Sequence, residues 1–175
     1  MTDIPRVLVL IRHAEAVPFS REGDAQRALT ESGRAVARAL GERLSREGVR
    51  ADLMICSPAV RTVQTCEELR RGGLQVQDLW GEQSLYDADV EDVVDAIREV
   101  PDDVRTLVVL GHAPGVPGVV AGVEDHCDQG GEPLHRRIEV WPPAGVGVVV
   151  HEGSWAAFPD SSSAVVMLQR PPDRL

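Results

Sequence analysis

The chain has 175 residues, 43% of them hydrophobic and 26% charged, the balance of a soluble globular domain long enough to bury a substantial core. Its formal net charge of −10 leaves no broad basic face, which argues against nucleic acid or an anionic membrane as partner. All 18 basic residues are arginine, so a lysine nucleophile, a Schiff base and a P-loop lysine are all excluded. Aromatic residues make up only 3%, so the core must be aliphatic. Cys56, Cys66 and Cys127 form no C-x-x-C pair and cannot all pair internally, as suits a reducing compartment. The N-terminus carries no basic leader and its apolar run is too short for a signal peptide or a membrane span, so a cytoplasmic location is expected.

Strands and helices alternate along the first two thirds of the chain, the pattern of a mostly parallel sheet covered on both faces. Val7–Ile11 reads as the first strand. A helix opens at Thr30-Glu31-Ser32-Gly33 and runs to about Arg46, with Val36, Leu40 and Leu44 on one face and Gly48 as its stop. Leu53–Cys56 is the second strand, and Ser57-Pro58 is expected to cap and start the helix that follows. Leu74–Trp80 reads as the third strand, Val90–Val100 as a helix and Thr106–Leu110 as the fourth strand. Pro114 and Gly115 lead into a short apolar helix ending near Gly122.

From Glu124 the rhythm changes. The Gly/Pro-rich stretches Asp128–Pro133 and Pro142–Gly147 separate short runs at Ile138–Trp141, Val146–Val150 and Ala164–Leu168. These are expected to add antiparallel strands at the sheet edge, with residues 124–155 as an edge insertion and 170–175 as a loose tail. No repeat or boundary divides the chain, so residues 1–175 are expected to form a single three-layer α/β/α domain.

The chemistry converges on one edge of that sheet. Arg12-His13 follows the first strand and Gly111-His112 the fourth, each after a run of the kind that fills a strand buried on both faces. Arg61 falls in the first turn of the helix after Ser57, and Asp24, Arg27, Leu29, Thr30 and Gly33 lie in the segment after the first strand. In a parallel sheet all of these emerge at the C-terminal strand ends, where open α/β sheets bind ligands. Paired arginines and histidines in an acidic protein make a local anion hole, since arginine forks onto phosphate oxygens. His126, Cys127, His135 and His151 match no recognised zinc spacing and read as a solvated loop, so no metal is expected. Neither a P-loop nor a G-x-G-x-x-G after a strand is present, and no cofactor is expected.

Arg12-His13-Ala14-Glu15-Ala16, Leu29-Thr30-x-x-Gly33, Ser57-Pro58-x-x-Arg61-Thr62-x-Gln64-Thr65 and Gly111-His112-x-Pro114-Gly115 resemble the histidine phosphatase superfamily, and within it most of all the small SixA-type phosphohistidine phosphatases. The resemblance covers roughly residues 5–122, and more weakly Phe158–Leu168. It implies a metal-independent phosphomonoesterase in which His13 attacks phosphorus to give a phosphohistidine. Arg12, Arg61 and His112 would hold the equatorial phosphoryl oxygens, with Arg27 and Ser57 as further substrate-binding residues. It also implies a neutral His13 ring, oriented by a hydrogen bond from its other nitrogen to a backbone carbonyl.

Two positions depart from the family pattern. Ala14 stands where glycine is usual, which makes the turn after His13 less permissive. Asp87 stands where larger relatives carry a glutamate general acid, and it reads equally as a helix cap before Val90, although Asp89 is the better cap. The leading substrate is a protein phosphohistidine. The alternatives are a small sugar, nucleotide or acid phosphate, or a non-catalytic phosphate-binding or interaction domain. A mutase is disfavoured, since that chemistry needs a secure acid and a closed pocket.

Overall fold

The aliphatic run at the N-terminus forms β1 (Arg6–Arg12), whose side chains alternate between two cores because successive strand residues point to opposite faces. A computed structural model describes residues 4–126 and 141–172. They form one six-stranded sheet with helices on both faces. After β1 come α1 (Glu31–Arg46), β2 (Arg50–Cys56), α2 (Val60–Arg71), β3 (Gln75–Gly81), α3 (Val90–Arg98), β4 (Thr106–Gly111), α4 (Gly115–His126), β5 (Val146–His151) and β6 (Ala164–Gln169).

The sheet order is β3-β2-β4-β1-β5-β6. β1, β2, β3 and β4 are mutually parallel, while β5 runs antiparallel to β1 and β6 antiparallel to β5. Leu8 and Leu10 of β1 join Leu53, Ile55, Leu107 and Val109 under α3 and α4. Val9 and Ile11 join Met54, Val108 and Leu110 under α1 and α2. The alternation expected for a three-layer α/β/α sandwich is therefore visible residue by residue.

Thr30 caps α1, its hydroxyl accepting from Gly33 N at 2.9 Å. Ala37, Leu40 and Leu44 are buried at helical spacing, so α1 lays one stripe on the sheet. α2 corrects the expected cap: Ala59 occupies the cap position, no side chain caps it, and Pro58 precedes the helix. The Ser57 hydroxyl instead faces His112 (Oγ to Nε2, 2.8 Å). α3 begins with a capping box in which Asp89 accepts from Asp92 N and Asp92 accepts from Asp89 N, both at 3.0 Å. The cap before Val90 is thus Asp89 and not Asp87.

The C-terminal third adds the expected antiparallel pair at the sheet edge: β6 is outermost, and β5 pairs along its whole length with Arg6 to Ile11. Other details differ from the expected layout. Trp141 and Trp155 are core residues, and the Trp155 indole donates to Val104 O at 2.9 Å. His151 is not a loop residue. It ends β5 fully buried, with Nε2–H donating to Ser154 O and Nδ1 paired with Ser163 Oγ, each at 2.9 Å. Cys127, His135 and the run Ile138–Val140 lie outside the described residues, as do residues 173–175 of the expected tail. Arg170 is tied down, its carbonyl accepting from Arg43 Nη1 at 3.0 Å. Among the described residues no helix is long and apolar enough to cross a membrane.

Candidate active site

Three adjacent parallel strands bring the site together. β4 lies between β1 and β2, so Arg12-His13, Ser57 and His112 leave neighbouring strand ends on one edge. His13 N donates to Gly111 O at 3.0 Å and Ser57 N to Leu110 O at 3.1 Å, which extends the sheet's register into the site. A cavity of about 330 Å³ opens there, lined by Arg12, His13, Asp24, Arg27, Arg61, Tyr86, Asp87, His112 and Ala113.

His13 is almost wholly buried, and its Nδ1 lies 2.7 Å from Ala14 O. A carbonyl oxygen can only accept, so Nδ1 carries the proton and the lone pair is on Nε2. Burial is the main cause that lowers its pKa to about 3. The Ala14 hydrogen bond opposes this, while His112, Arg61 and Arg12 add to the fall. The ring is therefore neutral at pH 7. His112 packs edge-on to it, ring centroids 5.1 Å apart, and burial together with Arg61 lowers its pKa to about 4.

Local contacts explain the motif residues. Ala14 is fully buried and is not among the residues with positive φ, so the turn after His13 accepts its methyl group without strain. Thr65 Oγ1 accepts from Ala14 N at 3.1 Å, and Gln64 Oε1 accepts from Leu29 N at 2.8 Å. Both residues sit on α2 and tie it to the segment that carries His13. Thr62 Oγ1 donates to Ser57 O at 2.7 Å, closing the turn that aims Arg61. Arg12 is held from Nη1 by the Trp141 carbonyl.

Arg61 is the second residue of α2 and is buried. Its Nη1 donates to Asp24 O at 2.9 Å and its Nη2 to Asp24 Oδ2 at 3.0 Å. Arg27 donates from Nε to Asp24 Oδ1 at 2.7 Å. Asp87 is exposed with φ 54°, a left-handed conformation that aspartate tolerates, and it lines the cavity. Ser57 is absent from that lining and lies behind His112. Two polar lining residues have no role in the sequence reading. Asp24 falls in the right segment there, and its i,i+3 spacing to Arg27 is the signal that points to it. Tyr86 adjoins Asp87, and nothing in the sequence tells it from a core tyrosine.

Fold and pocket together define a class: an α/β protein holding a neutral, oriented histidine in an arginine-lined anion pocket at the ends of parallel strands. Residues 8–155 match the family described as the histidine phosphatase superfamily, branch 1. An uncharacterized protein of Mycobacterium tuberculosis is 28% identical over 156 residues, covering 89% of this chain and 96% of that protein. The structure of a putative phosphohistidine phosphatase SixA from Nakamurella multipartitia superposes with a TM-score of 0.82 at 28% identity, covering 98% of this chain and 99% of that one. A protein histidine phosphatase SixA complexed with tungstate shares the fold, with a TM-score of 0.73 at 21% identity over 93% of this chain and 95% of that one. The chain belongs to the histidine phosphatase superfamily and is of the SixA type. It is a phosphatase that works through histidine.

Proposed function

We propose that this phosphatase hydrolyses phosphohistidine on proteins, without a metal, through a phosphoryl group carried on His13. The observation that carries this reading is the fixed tautomer of His13: Nδ1–H is committed to Ala14 O, which leaves the Nε2 lone pair as nucleophile beside Arg12, Arg61 and His112. In the first step Nε2 bonds to phosphorus as the bond from phosphorus to the leaving group breaks. The three cationic or N–H-bearing groups hold the equatorial oxygens, where the negative charge of a loose transition state resides. In the second step water takes the phosphoryl group from Nε2, releasing inorganic phosphate and restoring the neutral ring.

The charge pattern of the cavity supports the choice of substrate. Arg12, Arg27, Arg61 and the two histidines receive the phosphoryl group, the Asp24 carboxylate is held by Arg61 and Arg27, and the exposed Asp87 also lines the cavity. A leaving group that carries its own carboxylate or phosphate would meet the Asp87 carboxylate. An imidazole, neutral or protonated, would not. The designation of the Nakamurella protein points the same way.

The test is a phosphoryl trap run with excess chelator. Wild type should acquire an acid-labile, alkali-stable label when quenched during turnover, and His13→Ala should acquire none while keeping its circular dichroism spectrum. Label on a serine or cysteine, turnover in the mutant, or activity abolished by chelation would overturn the mechanism. A protein that binds phosphate but never turns over would be the non-catalytic alternative. Higher kcat/KM on sugar, nucleotide or acid phosphates than on phosphohistidine protein would reassign the substrate.

A further inference from the structure

Arg61 raises a physical problem that the pocket must solve. Its side chain is only 4% exposed, and Arg12, Arg27, His13 and His112 line the same small cavity. Guanidinium groups brought together without a counter-charge repel one another and swing toward water. Asp24 meets this with its backbone and its carboxylate at once. Its carbonyl accepts from Arg61 Nη1, Oδ2 accepts from Arg61 Nη2 and from the Tyr86 hydroxyl at 3.0 Å, and Oδ1 accepts from Arg27 Nε.

We propose that Asp24 is the positioning residue of the phosphate pocket: its carboxylate clasps Arg61 to Arg27 and Tyr86 so that both arginines face the phosphoryl group. The inference rests on the reading of the cavity as a phosphate site. A guanidinium has five N–H donors, and Arg61 commits one from each Nη to Asp24. The second hydrogen on each Nη remains for phosphoryl oxygens, while Nε is buried. The carboxylate thus fixes the group without using up its donors. Tyr86 completes the clasp from the opposite wall, its ring edge-on to His112 at 5.9 Å and 6.0 Å from the Arg61 guanidinium carbon. Asp24 itself is half-exposed, so its replacement removes the clasp without hollowing the core.

The opposite role is also chemically coherent. An anion already seated on Arg61 and Arg27 would compete with phosphate, and its removal would then tighten oxyanion binding. Inhibition by inorganic phosphate separates the two by sign. Asp24→Asn should weaken it and lower kcat/KM on an aryl phosphate on the order of 10- to 100-fold, as displaced transition-state contacts do, with the melting temperature little changed. Asp24→Glu should recover part of the loss, and Tyr86→Phe should show a smaller loss of the same kind. Unchanged kinetics, or tighter phosphate inhibition, in Asp24→Asn would overturn the proposal. A fall in melting temperature with kcat and KM intact would do the same. The trap run on wild type keeps the two readings apart. If wild type carries no label on His13 the phosphatase mechanism itself fails, whereas a labelled wild type with an unaffected Asp24→Asn sinks only the clasp.

Discussion

Side chains of one type do different work in this pocket because their surroundings differ. His13 and His112 are both buried and both neutral at pH 7, yet His13 Nδ1–H is tied to a backbone carbonyl while His112 Nε2 pairs with the Ser57 hydroxyl. Asp24, Asp87 and Asp89 divide in the same way. The hydrogen bonds from Arg27 and Tyr86 and the charge of the two arginines outweigh the opposing effect of burial and hold Asp24 near a pKa of about 2, so it stays a carboxylate throughout. Asp89 caps α3, which frees Asp87 for a role in the cavity. Asp87→Asn should therefore leave α3 intact, and asparagine accepts the same left-handed backbone. If Asp87 protonates the leaving group, an alkyl phosphate should lose about 10²–10⁴ in rate and a nitrophenyl phosphate little, with phosphohistidine between. A uniform loss across the three would make Asp87 structural, and no loss would mean that this enzyme dispenses with an acid.

Elements meet the site through close backbone contacts. The start of α1 packs directly on the segment after His13: Thr30 N donates to Glu15 O at 3.0 Å, and a Cβ on Gly33 would lie 2.1 Å from that same oxygen. Gly33→Ala must therefore push α1 or the Glu15 carbonyl aside. Overpacking of this kind costs about 1–3 kcal/mol, and the displaced segment carries Ala14 and the His13 orientation. Chemical denaturation should show the loss of stability, with a parallel fall in kcat/KM. Gly122 in α4 is the matched control, since a Cβ there would meet nothing within 4 Å. Gly122→Ala should be neutral or stabilise by about 0.5–1 kcal/mol through helix propensity. Equal behaviour of the two variants would refute the close-contact argument. α1 and α2 are joined further down by Glu68, which is almost wholly buried and accepts from Arg38 at 2.7 Å and from Arg71 at 2.6 Å.

At the scale of the whole molecule, the buried histidines of the pocket should make stability fall toward acid pH. His13 and His112 have folded-state pKa values of about 3 and about 4, below the ordinary value of 6.5. A depressed histidine contributes stability that is fully present above 6.5 and is lost as pH falls, because the unfolded chain takes up protons that the folded one refuses. The loss should begin near pH 6.5, at up to about 1.4 kcal/mol per pH unit for each histidine, and level off as each folded pKa is passed. Asp24 and Glu68 are depressed carboxylates, and their contribution is lost only at lower pH. Urea unfolding of wild type and of His112→Asn at pH 7, 6, 5 and 4.5 should give a shallower pH slope in the variant. Parallel slopes would show that the ring does not titrate as its burial implies.

Hydrophobic runs and turn chemistry were enough to specify the strand-helix order, the two faces of β1 and the convergence of Arg12, His13, Arg61 and His112. Each of these follows from local periodicity and from the rule that parallel strands deliver their C-terminal ends to one edge. The sequence likewise distinguished Asp89 as the better cap, a local backbone effect. Tertiary structure alone decided which strand the antiparallel pair joins, since the pairing of β5 with β1 brings together segments far apart in the chain. It decided that Ser57 backs His112 instead of capping α2, and that His151 is buried among serines. It also brought Asp24 and Tyr86, from loops after different strands, into contact across the cavity. Contacts of this kind leave no periodic trace in a sequence, because each depends on where two distant backbones come to lie.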